Sequence, residues 1–114
     1  MQNRLLILGL LLAGAAPAAH AAPTIGELRD TCAQALQAGY VGEQAAMCEW
    51  YVAPCGVCGK DGPPPRRWCV PAATPAAEVA TQVLAGLRGM DAARAAPEAV
   101  EEILRRRYPC RAEE

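Results

Sequence analysis

The chain contains no serine and no phenylalanine, and its single histidine, His20, lies within the first 21 residues. That opening stretch reads as a secretory signal peptide: Arg4 is followed by the apolar run LLILGLLLAGAA and then by Ala19-His20-Ala21, a small-x-small cleavage pattern. The run is short for a bilayer span and is soon followed by Pro17 and small residues, so cleavage is expected, with an uncleaved anchor as the alternative. Residues 1–21 are expected to be removed, leaving residues 22–114 as one small exported domain, free of the membrane and, in a bacterium, periplasmic. Without histidine or serine, that domain cannot assemble a Ser/His or Cys/His pair, nor a zinc site with imidazole ligands. Only carboxylates and thiols remain for catalysis.

Concentrated positive charge is missing as well. With Arg4 removed, ten lysines and arginines face twelve acids, a net charge of −2. The one basic run, Arg105-Arg106-Arg107, follows Glu98, Glu101 and Glu102 at helical spacing, so these groups are expected to pair at i,i+4 on a solvated face. A nucleic-acid partner is not expected. Aromatic residues are scarce too, and two Trp and three Tyr leave a core built mainly from Ala, Leu, Val and Ile. So thin a core needs covalent support, and six cysteines, all beyond residue 21, can supply it.

Four helical stripes follow. Thr24-Ile25-Gly26-Glu27 is a capping box, after which Ile25, Leu28, Cys32, Ala35 and Leu36 recur at helical spacing until Gly39. Val41, Ala45, Cys48 and Val52, flanked by Met47 and Tyr51, make a second stripe that Pro54 ends. Residues 54–73 are rich in Gly, Pro and charge and read as a long loop. Thr74-Pro75 supplies an N-cap and a first-turn proline to a third helix with Val79, Val83, Leu84 and Leu87 inward, weakened at its end by Gly86 and Gly89. After the connection 89–96, Pro97 opens a fourth helix with Val100, Ile103, Leu104 and Tyr108 inward, acids early, arginines late, and Pro109 as its stop. The fold class predicted is all-α: a small four-helix domain of two antiparallel hairpins, braced by disulfides, with a long Pro/Gly-rich loop between helices two and three.

The turns dictate the bracing. Cys32 and Cys48 each sit eight residues from Tyr40, so a hairpin turning there brings them to the same height and they are expected to bond. Cys69 precedes the third helix and Cys110 follows the fourth, which pairs them by the same argument. Cys55 and Cys58 are left to pair locally, one of the fifteen connectivities open to six cysteines. On the chain-entropy model each long-range bridge contributes about 3 to 4 kcal/mol, a large part of the roughly 5 to 15 kcal/mol typical of a domain.

Cys55-Gly-Val-Cys58 admits two other readings. A thioredoxin-like redox site follows a strand and opens a helix, whereas this pair follows an amphipathic helix and precedes Gly-Lys-Asp-Gly-Pro. A metal clamp could draw on Cys55, Cys58, Cys69 and Cys110, but an oxidising compartment turns such thiols into disulfides. No metal and no other cofactor is expected. Glu98, Glu101 and Glu102 share a helix with arginines in reach, and nothing in the pattern buries them as a general acid requires.

In their order and spacing these features resemble the Rap/Tai family, exported immunity proteins that protect bacteria against type VI secretion amidase effectors. The resemblance rests on Leu28 and Cys32, on Cys48 with Tyr51, on Trp68-Cys69-Val70-Pro71 followed by Thr74, and on Tyr108-Pro109-Cys110, where the family usually shows Phe-Pro-Cys. It departs at Ala53-Pro54-Cys55-Gly56-Val57-Cys58, where the family commonly continues its second helix through a glycine and often an aspartate. The resemblance implies an all-helical periplasmic domain, often a homodimer, that binds a cognate peptidoglycan amidase and blocks its groove. Such a protein is an inhibitor and not an enzyme.

Within that implication, Lys60, Asp61, Arg66, Arg67 and Trp68 are the candidate contact residues, because charge beside an aromatic side chain is common in interface hot spots; the connection 89–96 comes second. The competing reading has Arg66 and Arg67 solvated and Trp68 packed over the Cys69 bridge. Two other functions fit the composition. One is a small acid-stress chaperone, in which the lack of histidine leaves no near-neutral switch; the other is a CxxC thiol oxidoreductase.

Overall fold

The computed structural model describes residues 22–53, 59–63 and 66–111, and the expectations for residues 1–21 and for Cys55 and Cys58 lie outside them. The described residues form α1 (Ile25–Gln37), α2 (Gly42–Tyr51), α3 (Ala76–Leu87) and α4 (Ala96–Arg107), with a 3-10 turn at Gly59–Asp61 and no strand. The all-α expectation is met.

Every amide in the first turn of α1 finds an acceptor. Glu27 N–H donates to the Thr24 hydroxyl, and the Glu27 carboxylate accepts from the Thr24 backbone, closing the capping box. Leu28 N–H donates to Thr24 O at 3.0 Å, while Ile25 and Gly26 donate across the fold to Arg94 O at 2.8 Å and Ala92 O at 2.9 Å. The α3–α4 connection is thereby stitched to the start of α1, and Ala96 N–H returns the link to Pro23 O at 2.9 Å.

The other end of α1 turns on Gly39, whose φ of +83° lets Tyr40 N–H reach Ala35 O at 2.7 Å and Gly39 N–H reach Leu36 O at 3.2 Å. This Schellman closure sends the chain straight back into α2. The two helices lie side by side, and Cys32 and Cys48, both fully buried, are joined. Their Cα atoms are 4.9 Å apart. The second hairpin pairs α3 with α4, and Cys69 is joined to Cys110, also with Cα atoms 4.9 Å apart. Beside that bridge, Cys69 N–H donates to Tyr108 O at 2.8 Å.

The hairpins meet along α1 and α3. Ile25, Leu28, Val83, Leu87, Val100, Ile103 and Leu104 form the buried core together with small alanines and the Cys32–Cys48 bridge. Arg29 on α1 donates to Leu87 O and, at 2.8 Å, to Met90 O, so a cation from one hairpin caps the C-terminus of a helix in the other.

Four local expectations are corrected. Thr74 does not cap α3: its N–H closes a turn on Pro71 O at 3.0 Å, and Pro75, extended at ψ 146°, becomes the N-cap, so the helix starts one residue later. Val41 is not on the buried stripe of α2, because it precedes the helix in an extended conformation and is 68% exposed. Gly86 does more than weaken a helix end. A Cβ there would lie 2.8 to 2.9 Å from the Ile103 side chain, so the missing methyl is what lets α4 approach α3. Finally, Glu101 is buried, at 7% exposure.

Candidate partner-binding surface

The burial of Glu101 changes the reading of the loop. Arg66 reaches it with two parallel hydrogen bonds, Nε to Oε1 at 2.8 Å and Nη2 to Oε2, across 35 positions of sequence. The carboxylate in turn raises the Arg66 pKa, chiefly by accepting the hydrogen bond. Arg67 folds its Nε and Nη2 onto Gly62 O at 3.3 and 3.2 Å. Trp68 is half-buried against the core. Of the five sequence-derived contact residues, these three therefore make internal contacts: Arg66 binds the loop to α4, Arg67 ties the loop to itself, and Trp68 packs inward. Lys60 and Asp61, in the 3-10 turn, remain exposed.

The i,i+4 pairing expected along α4 holds at Glu102 and Arg106, 2.6 Å apart. Arg107 instead reaches across to Gln82 on α3 at 2.7 Å. In the connection 89–96, Asp91 accepts from Ala93 N–H at 3.0 Å, and the backbone is committed to α1 as described above.

A surface that the sequence reading passed over lies on α2. Ala45, Cys48 and Val52 face inward. Opposite them, Glu43, Ala46, Met47 and Trp50 recur at i, i+3, i+4 and i+7 and are exposed, Met47 at 46% and Trp50 at 76%. That spacing was present in the sequence. Beside Trp50, a groove of about 150 Å³ runs between Pro23, Tyr51, Ala53 and Pro97. A larger one, about 310 Å³, opens on the other side of Ala53 with Glu49 at its edge and Val52, Trp68, Val79 and Leu104 among its walls.

Among the described residues, no three His, Cys, Asp or Glu side chains are placed to hold a metal ion. Two of the four thiols considered for a metal clamp, those of Cys69 and Cys110, are bonded to each other. The site therefore consists of apolar grooves, an exposed tryptophan and a braced loop. Such a surface suits protein recognition.

The family model for Rap1a immunity proteins matches residues 24–110. The chain belongs to that family. The match runs from the capping Thr24 to Cys110, so in this Rap1a family member all four helices and both described disulfides lie inside it. No curated protein and no solved structure gives a match. Membership in an immunity family implies a protein partner, and the surfaces above are what the fold offers one.

Proposed function

We propose that this chain is a periplasmic immunity protein that binds a type VI secretion effector with peptidoglycan amidase activity and blocks its catalytic groove, acting as an inhibitor and not as an enzyme. The observation that carries the reading is the family match across residues 24–110. The disulfides support the compartment, since bonds such as Cys32–Cys48 and Cys69–Cys110 persist in oxidising surroundings, and residues 1–21 have the pattern of an export signal.

In this reading the described stretch from Arg66 to Cys69 is already fastened in the free protein, by Arg66 to Glu101, by Arg67 to Gly62 and by the Cys69–Cys110 bridge. Ordering done in the free protein lowers the entropy lost on binding. The test is a titration of type VI peptidoglycan amidase effectors, starting with any encoded near this gene, with release of cleaved peptide from peptidoglycan as the readout. Activity should fall in proportion to added protein and vanish at stoichiometric equivalence. Full activity in the presence of excess oxidised protein would refute the reading.

A further inference from the structure

The last turn of α2 runs against a local rule. Helix C-termini favour cations, because their unpaired carbonyls concentrate negative potential. In α2 that turn holds no basic residue and instead carries Glu49. Among the described residues Glu49 makes no hydrogen bond or ion pair. Its charge is felt by Tyr40, whose pKa is raised first by burial and then by Glu49. Two negative sources thus stand together, the helix end and the carboxylate, and among the described residues no cation pairs with Glu49.

Glu49 lines the 310 Å³ groove and, among the described residues, is the one charged side chain that does. The walls come from four places: Val52 just past α2, Trp68 from the loop, Val79 from α3 and Leu104 from α4. Trp68 is held in place by the adjacent Cys69–Cys110 bridge and the Cys69–Tyr108 backbone bond. An open groove walled mainly by apolar side chains, with one carboxylate among them, matches a particular kind of side chain. Lysine and arginine have long aliphatic stems that pack on apolar surface and cationic tips that seek a carboxylate, and an indole wall attracts the same cation. A planar guanidinium, which can also stack on an aromatic ring, suits it best.

We propose that the groove between the end of α2 and Trp68 receives a basic side chain, arginine in preference to lysine, from the partner protein. Its stem lies against Val52, Val79 and Leu104, and its cation meets Glu49 and the α2 C-terminus beside Trp68. This assignment rests on the immunity reading in one respect, that the partner is a protein. Local irregularities of this kind, a charge placed where its own helix disfavours it, concentrate at functional sites.

The test has two arms. In the first, the oxidised, isotope-labelled protein is titrated with Nα-acetyl-arginine amide and with its neutral isostere Nα-acetyl-citrulline amide, followed by the indole N–H signal of Trp68, with Trp50 as the internal reference. The arginine probe should shift Trp68 saturably, the citrulline probe should bind roughly ten-fold more weakly, and Glu49→Gln should erase the difference. Equal responses, no response up to the solubility of the probe, or a preference that survives Glu49→Gln would overturn the assignment.

In the second arm, the probe is the peptidoglycan amidase effector used in the inhibition titration. Glu49→Lys should weaken its binding by roughly ten-fold or more and flatten the salt dependence, while Glu102→Gln should leave both unchanged. If the wild-type protein binds the amidase and Glu49→Lys binds equally well, the groove assignment fails and the immunity reading stands. If the wild-type protein does not bind it, the immunity reading fails and the arginine–citrulline comparison decides the groove by itself.

Discussion

Arg66 grips Glu101 with two parallel hydrogen bonds, Nε to Oε1 at 2.8 Å and Nη2 to Oε2, and so fastens the loop ahead of α3 to the buried face of α4. The Arg66 side chain is 45% exposed and the Glu101 side chain only 9%, so the carboxylate depends on the arginine far more than the reverse. Removing one partner strands a charge, whereas removing both strands none. Arg66→Met should therefore melt below the wild-type protein, and Arg66→Met/Glu101→Met should melt above the single variant. Thermal unfolding of the three proteins checks the order. A double variant no better than the single one would show that Arg66 acts through something other than Glu101.

Gly86 gives a prediction of opposite sign to the usual helix rule. In an open helix, Gly→Ala gains up to about 1 kcal/mol. Here the new methyl would meet Ile103 at under 3 Å, so Gly86→Ala should instead cost about 1 to 3 kcal/mol. Adding Ile103→Val should recover part of the loss. Urea unfolding of the single and double variants measures both effects.

The two described disulfides differ in burial, and their reduction should differ accordingly. Cys32 and Cys48 are fully buried, while Cys69 and Cys110 are half-buried near the surface. Limited dithiothreitol followed by alkylation and peptide mapping should label Cys69 and Cys110 before Cys32 and Cys48. Replacing Cys32 and Cys48 together by alanine should cost about 3 kcal/mol on the chain-entropy account, and more if their packing is lost as well.

The hydroxyl of Tyr40 is buried and, among the described residues, finds no hydrogen-bond partner, on a ring packed against the core. Tyr40→Phe removes a desolvated polar atom and should stabilise the protein by about 1 kcal/mol, read from denaturant unfolding. A loss of similar size would show that the hydroxyl is in fact bonded.

Tyr40 and Tyr108 both have raised pKa values, in each case chiefly through burial, with Glu49 and Glu78 as the respective charged contributors. Above the ordinary tyrosine value of about 10 the folded protein holds these protons more tightly than the unfolded chain does. Their stabilising contribution is complete below that value and is lost as pH rises through it towards the folded values. Urea midpoints taken between about pH 9 and 11 should fall, and Tyr40→Phe should reduce the slope. A flat profile contradicts this.

What could be seen in the sequence was whatever local chemistry decides. The capping box at Thr24, the stop at Gly39 and the eight-residue symmetry of Cys32 and Cys48 about Tyr40 all involve neighbours in the chain, and the structure contains each. Contacts between distant segments were not legible. Glu101 looked solvated because its natural i,i+4 partner was Arg105, one turn away, yet Arg66 reaches it from another element. Gly86 looked like a weak helix end because its reason is Ile103 on a different helix. The loop arginines suggested an interface by type, and only their hydrogen bonds reveal that they hold the loop. The outer stripe of α2 was readable, since Glu43, Ala46, Met47 and Trp50 keep helical spacing, but attention to the buried face left it unused.

The most direct test of the account is growth of cells that direct the proposed type VI amidase effector into their periplasm while expressing this protein. Full-length protein should restore growth, and protein lacking residues 1–21 should not. Restored growth without the leader, or continued killing in cells that accumulate the exported and oxidised protein, would contradict the claim that it neutralises the effector in that compartment.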